Sequence, residues 1–383
     1  MNRLTPDAPP RPIAVGDVVV AFNDLLGEWT AAQVTHFHEE WKSVALLELT
    51  WSGPEPAGID DLGVVEALKL SHQSWGGGLS HCFFEWILPR SHKIIGTMPV
   101  LQAKPPSSYS AGWRIGDQLF YQRRWDSGNR DEFIDPAELS CTGAELNALS
   151  GPRQDLRILR VAGIDELDCK QLVESYPDLT ELILTGNLGI LANAGSLNRL
   201  TRLKSLIISD LFGMDGPDCL LPKHVPALEN LWLSSVPRDY ASATRTAWRG
   251  EIVHGVSLEI QAPRKPEWVA ENLNNPLRDW DGRERISALR YKKALALYRT
   301  TRRAVQDAFA NASGDARLAR LTEIGRGFSE GFNKLDGRDP FIETVERDEL
   351  FAALNHLITE VGGMDDPAAR DALLASAEAN RDW

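Results

Sequence analysis

The histidines of the N-terminal part are the side chains best spaced for metal chemistry. His36 and His38 are separated by one residue, so on a strand they would project from the same face, as in some two-histidine metal sites. His81, which stands beside Cys82, would add a ligand if the fold brought it close. Because two glutamates follow His38 directly, the segment also fits the polar edge of a hairpin. We favour that interpretation and keep a metal-dependent enzyme as the weakest alternative.

Carboxylates recur at three-residue steps near the C-terminal end. Glu343, Glu346 and Glu349 would share one helical face, with Arg347 able to pair with Glu343. Catalytic carboxylates need burial beside apolar groups to shift their pKa, and nothing in the pattern indicates such burial. The sequence contains no phosphate-binding loop, nucleophile elbow or metalloprotease helix motif. We therefore expect a protein that is not an enzyme, with no cofactor and no bound metal.

The composition narrows the class of protein and of partner. The chain has 383 residues, of which 43% are hydrophobic and 25% charged, as in an ordinary globular protein of two or three domains. We expect a cytoplasmic location, because there is neither a membrane-spanning run nor a secretory signal. The four scattered cysteines are expected to be reduced. A net charge of −13 disfavours nucleic acid and anionic membrane as partners and suits a cationic protein.

Three stretches differ in their residue patterns. The first has short β-branched or aromatic runs separated by turn residues, and the last has apolar residues at helical spacing. The predicted domains are a β-rich domain at 1–140, a repeat domain at 141–274 and a helical domain at 275–383. A further boundary near 100–112 stays open, because a proline- and serine-containing link lies there.

Local signals predict where several helices begin. Thr142 and Glu145 have the spacing of a capping box. Asp339 followed by Pro340 is typical of an N-cap and first helical residue, with a glycine pair at 362–363 as the stop. A last short helix is predicted to begin at Asp366 and Pro367.

A leucine phrase, Leu-x-x-Leu-x-Leu, recurs through the middle of the chain. Its five copies, the last one weak, are 23 to 25 residues apart and begin at Leu156, Leu179, Leu203, Leu228 and Val253. This stretch resembles the leucine-rich-repeat family, whose repeats have such a period. The fold class that we expect is therefore α+β: a β-rich N-terminal domain, a short leucine-rich-repeat solenoid of about five turns and a C-terminal helical bundle.

The repeat phase predicts which side chains face outward. Positions one, four and six of each copy would point into the core, and positions three, five and seven would form the concave face. Position five reads Arg160, Ile183, Ile207, Trp232 and Ser257. The candidate partner-binding residues are Arg160, Glu181, Ile183, Ile207, Asn230 and Trp232. Such an apolar stripe either binds a separate protein or is covered by the flanking domains, and both alternatives stay open.

These patterns favour a protein that works by binding another protein. Gly16, Asp17 and the strand after them, with Gln33 and Val34, resemble the opening strands of small bacterial immunity proteins of polymorphic toxin systems. That resemblance implies one-to-one neutralisation of a cognate toxin, and an acidic inhibitor suits a basic toxin. An intracellular adaptor or regulatory scaffold is the alternative.

Overall fold

The computed structural model of the protein describes residues 12–110, 112–149, 151–361 and 366–383. The chain divides into two units, Met1–Lys265 and Pro266–Trp383. The first contains all the described strands and the second is helical. The predicted boundary before residue 275 is not tested by this division, and the predicted separation of 1–140 from the repeat stretch stays a prediction.

The N-terminal part of the first unit is built on an antiparallel sheet. Its elements are β1 (Asp17–Asn23), β2 (Glu28–His38), β3 (Ser43–Gly53), β4 (Lys69–Leu70), β5 (Gly78–Leu79), β6 (His81–Glu85), β7 (Lys93–Thr97) and helix α1 (Asp117–Asp126). Five strands pair in the order β6-β3-β2-β1-β7, which we call the N-terminal sheet, and β4 pairs with β5. Both faces of the sheet are covered: Val19 and Val34 belong to one apolar cluster, and Val18 and Leu49 to another.

A buried carboxylate connects the N-terminal sheet to the start of α1. Glu48 on β3 accepts a hydrogen bond from Gly116 N at 2.7 Å and from Ser80 Oγ at 2.8 Å. Burial of the carboxyl group raises the pKa of Glu48 to about 7. A second connection comes from Asn23, whose amide donates to Ile115 O at 3.1 Å. These bonds fix the segment that carries Arg114 and Asp117.

A six-stranded parallel sheet follows. Its strands are β8 (Glu138–Thr142), β9 (Ile158–Asp168), β10 (Glu181–Ala192), β11 (Ser205–Phe212), β12 (Asn230–Ser234) and β13 (Ser257–Gln261). They lie side by side in chain order. Helices α2 (Gly143–Ala148), α3 (Cys169–Ser175) and α4 (Arg238–Trp248), together with short 3-10 helices, connect them. The inward side chains are aliphatic, and Leu159, Leu182, Leu206 and Leu231 are fully buried in one core.

The fold class predicted from the sequence, α+β with a five-turn leucine-rich-repeat solenoid, is wrong. The structure is mixed α/β: antiparallel strands precede a six-stranded parallel sheet, and a helical region ends the chain. Strands alternate with helical segments through the middle of the chain, and this alternation is the α/β pattern. The sequence prediction assigned only a helical cap before the first repeat and missed β8, which pairs with β9 at the edge of the sheet. The family resemblance itself stays a hypothesis.

The last predicted repeat is displaced by two residues. The phrase placed Val256 at position four, but Leu231 pairs with Leu258 and Trp232 with Glu259. Since side chains alternate along a strand, a displacement of two keeps the same residues outward but changes their neighbours. Glu259, not Ser257, therefore stands beside Trp232.

The predicted capping box at the start of α2 is confirmed. Glu145 N donates to Thr142 Oγ1 at 3.2 Å, and Thr142 N donates to Glu145 Oε2 at 2.8 Å. All four cysteines are free. Cys169 and Cys219 are buried, and burial raises the pKa of the Cys169 thiol to about 12.

The second unit is a helical region with its own core. Its helices are α5 (Pro266–Asn272), α6 (Ala288–Asn311), α7 (Gly314–Asp336), α8 (Thr344–Glu360) and α9 (Pro367–Ala379). Trp280, Phe328, Phe332 and Leu354 are buried in that core. Among the described helices, none combines the length and apolarity that crossing a bilayer requires.

Two predictions for α8 are corrected by the structure. Asp339 is not its N-cap: α8 begins at Thr344 with Glu343 as the cap. Asp336 Oδ1 accepts hydrogen bonds from the backbone N–H groups of Phe341 and Ile342 at 2.8 and 2.9 Å, so the chain there is held by tertiary contacts instead of a helical turn. The predicted glycine stop lies outside the described residues. The predicted start of α9 is confirmed, because Asp366 Oδ1 accepts from Ala369 N at 3.0 Å.

Candidate functional site

Parallel pairing aligns the predicted position-five residues across the sheet. Arg160 pairs with Ile183, Ile183 with Ile207, and Ile207 with Trp232. We call this line the outward row; with its end members it consists of Ser140, Arg160, Ile183, Ile207, Trp232 and Glu259. Neighbouring strands are about 4.8 Å apart, so consecutive side chains in the row touch.

The centre of the outward row is apolar and partly buried. Ile183, Ile207 and Trp232 are of intermediate burial, whereas the leucines that alternate with them are fully buried. Trp232 Nε1 is shielded from solvent and has no hydrogen-bond partner among the described residues. An indole N–H in that state costs free energy unless an acceptor is supplied. The row therefore combines apolar area with one unsatisfied donor that is shielded from solvent.

A second row of outward side chains runs parallel to the first, two residues earlier in each strand. Its members are Glu138, Ile158, Glu181, Ser205, Asn230 and Ser257. Asn230 Nδ2 donates to Ser205 Oγ at 3.0 Å. Apart from Ile158 this row is polar, so the apolar centre of the outward row has a polar border on that side.

Two predicted partner-binding residues are already bound within the chain. Arg160 pairs with Glu138 and, at 2.7 Å, with Glu181. Glu181 also accepts from Arg114, a residue of the N-terminal part, at 2.7 Å. The six predicted residues thus separate into an ion-paired group, Arg160 and Glu181, and a group of four without ion pairs: Ile183, Ile207, Asn230 and Trp232.

The N-terminal part contacts the parallel sheet at the N-terminal ends of its strands. Ser91 N donates to Glu229 Oε1 at 2.7 Å, and Arg90 pairs with Glu251 at 2.9 Å. Gly255 lies so close to this segment that an added Cβ would be 2.6 Å from Leu88 O and from Arg90 N. These polar contacts engage residues at or just before the strand starts, and none of the three apolar residues of the outward row forms them.

No local pattern in the sequence indicates the residues that make this contact. Arg90, Arg114 and Glu229 are ordinary charged residues in the sequence, and their partners are 67 to 161 positions away along the chain. Only the tertiary fold reveals them. Glu259 was missed for a different reason, which is the two-residue displacement of the last repeat.

The histidines do not form a metal centre in the structure. His81 Nε2 lies 2.7 Å from Thr35 Oγ1, His36 Nε2 lies 2.9 Å from Ala103 O, and His38 stacks on Trp41. Burial, followed by the nearby His36, lowers the pKa of His81 to about 4, so that ring is neutral at physiological pH. Across the described ranges, no group of three histidine, cysteine or carboxylate side chains is arranged to hold a metal ion.

The carboxylates of α8 are held in ion pairs, but not in the predicted one. Arg283 binds Glu346 and Glu349, each at 2.7 Å, and Arg285 binds Glu343. The predicted pair of Arg347 with Glu343 is wrong, because Arg347 pairs with Asp348 at 2.8 Å. The oxygens of these carboxylates are thus already bound by guanidinium groups of the same chain.

Comparison with protein-family models, with curated proteins and with solved structures gives no match to this chain. The candidate site is therefore argued from its own geometry.

Proposed function

We propose that the outward row of the parallel sheet binds a protein partner and that the protein acts through this binding instead of through catalysis. The observation that supports the proposal is the row itself, in which Ile183, Ile207 and Trp232 stand side by side in register and are only partly buried. Contiguous apolar side chains that include a tryptophan are typical of binding hot spots. The buried leucines between them hold the strands in place, so the row needs little reorganisation on binding.

We further propose that the partner is a basic protein, in the specific case a toxin that this chain neutralises as an immunity protein in the cytoplasm. The net charge of −13 supports a basic partner, because opposite charges steer association and raise its rate. The same charge disfavours nucleic acid and anionic membrane. Glu259 places a carboxylate at the end of the apolar centre, next to Trp232, where a cationic partner side chain is favoured.

The substitution Trp232→Ala tests the use of the row. If Trp232 is an interface anchor, its removal costs about 2 kcal/mol or more of binding, which is roughly a 30-fold weaker Kd, and leaves the melting temperature nearly unchanged. If the side chain instead packs within the chain, the melting temperature falls, and binding weakens only as far as the fraction of folded protein falls. Trp75→Ala is the matched control, because Trp75 is 40% exposed and lies in the N-terminal part, away from the parallel sheet.

The partner is identified by affinity enrichment from the native host with wild-type chain and with the Trp232→Ala variant as baits. We expect one stoichiometric, basic protein with wild-type bait and its loss with the variant. Co-expression of that protein with the chain should relieve its toxicity. Equal recovery by both baits would contradict binding through the row, whereas recovery of an acidic or harmless partner would contradict only the toxin assignment.

A further inference from the structure

The apolar centre of the outward row runs across the strands and not along them. Each of three neighbouring strands contributes one apolar outward residue, which is Ile183 on β10, Ile207 on β11 and Trp232 on β12. The outward residues two positions before and two positions after these three are all polar: Glu181, Ser205, Asn230, Thr185, Ser209 and Ser234. A partner element that covers all three apolar side chains must therefore lie across the strands.

The spacing of the three apolar side chains matches the repeat of an α-helix. Neighbouring strands are about 4.8 Å apart, so the three side chains span about 10 Å. Side chains one turn apart on a helix are separated by about 5.4 Å along its axis, and two turns span about 11 Å. Side chains on one face of an extended strand repeat every 6.8 Å or so, and two such repeats span about 14 Å. Of these two elements, the helix can place one side chain beside each apolar residue.

The width of the apolar centre fits a single helix. Outward residues four positions apart on one strand, such as Ser205 and Ser209, are separated by about 13 Å. This distance is close to the diameter of an α-helix with its side chains, which is about 10–12 Å. A helix that lies over Ile207 would therefore direct its apolar face at the centre of the row. Its polar flanks would meet the hydroxyl groups on both sides.

One end of the apolar centre carries a carboxylate that is open to solvent. Glu259 on β13 pairs in register with Trp232 and is exposed. Gln261 donates a hydrogen bond to this carboxylate, which has no ion pair within the part of the chain that the structure describes. At the other end of the row, Arg160 is already held by two carboxylates. A basic side chain on the partner is therefore favoured at the Glu259 end.

We infer that the outward row binds an amphipathic α-helix of the partner, which lies across β10, β11 and β12. The inference rests on the proposed function, because it names the element that the row binds. Three apolar residues of the helix, spaced by three or four positions, contact Ile183, Ile207 and Trp232. A lysine or arginine one turn beyond the residue on Trp232 pairs with Glu259.

Selection of displayed peptides against the full-length chain tests the inference. One library randomises the exposed face of a stable helix, and a second library, of equal diversity, randomises one face of a disulfide-closed β-hairpin. Every recovered clone is measured against the wild type and against Trp232→Ala and Ile183→Ser, each shown to be folded by its melting. We expect the clones that lose about 30-fold in affinity with Trp232→Ala to come from the helical library. These clones should carry three apolar residues at three- or four-residue spacing.

The same helical clones test the charged end of the row. Glu259→Gln should weaken their binding about three- to fivefold, as expected for an ion pair at the rim of an interface. Replacing the basic residue of the clone with glutamine should abolish this difference, because the pair is then already broken. Glu166→Gln, at an exposed position on β9 outside the row, is the control and should leave binding unchanged.

The outcomes separate this inference from the proposed function. Clones that depend on Trp232 and Ile183 but come from the hairpin library would overturn the helical occupant and leave the proposed function intact. Helical clones that bind Glu259→Gln as tightly as the wild type would overturn the placement of the helix end beside Glu259. If no clone from either library loses affinity with Trp232→Ala or Ile183→Ser, both the inference and the use of the row for binding are contradicted.

Discussion

Glu48 shows how one residue makes the stability of the first unit depend on pH. Its carboxyl group is buried and accepts hydrogen bonds from Ser80 Oγ and from Gly116 N. The pKa rises from 4.5 to about 7 on folding, chiefly because of burial. Between these two pH values the folded state holds a proton that the unfolded chain has released. The free energy of unfolding therefore falls as the pH rises from about 4.5 to about 7 and levels off above that.

The substitution Glu48→Gln should remove this dependence. In the wild type the carboxyl group of Glu48 accepts from Gly116 N and from Ser80 Oγ, and the amide oxygen of an uncharged glutamine can accept in the same place. Relative to the variant, the wild type should lose about 3 kcal/mol of unfolding free energy between pH 5 and pH 8, as measured by urea denaturation. Glu40→Gln on the exposed β2–β3 turn is the control and should show no such difference. Parallel pH profiles of wild type and Glu48→Gln would contradict the burial of a titrating carboxyl group.

At the scale of elements, the contact between the N-terminal part and the parallel sheet depends on Gly255. This residue has a φ of +86°, which favours glycine, and it has no room for a Cβ beside Leu88 O and Arg90 N. Gly255→Ala should therefore destabilise the first unit by about 1–3 kcal/mol. The alanine would strain the backbone at this positive φ, and its Cβ would push the segment of Leu88 and Arg90 away.

A matched glycine distinguishes these two contributions. Gly163 also has a positive φ, +60°, but nothing lies within 4 Å of a Cβ built there. Gly163→Ala should show the cost of the backbone conformation alone, and the loss of stability should be clearly larger for Gly255→Ala. Equal losses in thermal or urea unfolding would indicate that the close approach at Gly255 does not matter.

Much of the parallel sheet was predictable, because one short pattern indicates both where each strand lies and which of its side chains point into the core. In the first four copies the residues at positions one, four and six are buried as predicted, and Ile183, Ile207 and Trp232 are aligned as neighbours; in the fifth copy, Val253 at position one is 60% exposed. The strand β8 was not predictable: Glu138–Thr142 has five residues and few apolar ones, and its pairing with β9 is a tertiary contact without a local signal. In the last repeat, Val253 and Val256 match the leucine phrase, but the strand pairing places the corresponding positions two residues later.

Local helix signals were reliable where no tertiary contact competed with them. The capping residues Thr142 and Asp366 behave as predicted. The prediction of Asp339 as the N-cap of α8 is wrong, because hydrogen bonds to Asp336 and the burial of Phe341 and Ile342 hold the chain before α8 in another conformation. For the candidate site, the outward residues were predictable from strand alternation, whereas the ion pair of Glu181 with Arg114 joins residues 67 positions apart and has no local signature.

At the scale of the whole molecule, the two units have separate cores. Trp280, Phe332, Phe341 and Leu354 are buried among other residues of the second unit. Residues 266–383 expressed alone should therefore be helical by circular dichroism and unfold cooperatively. A fragment that is helical but melts without a cooperative transition would contradict an independent core.

Site-specific photo-crosslinking in the native host tests whether the outward row binds a protein. A photoreactive amino acid replaces Ile207 in the row or, as the control, Gln171, which is exposed on α3. That helix packs on the inward leucines through Leu172, so Gln171 lies on the side of the sheet opposite to the row. We expect one dominant adduct with a basic protein from position 207 and none from position 171. No adduct from position 207, or the same adducts from both positions, would contradict it.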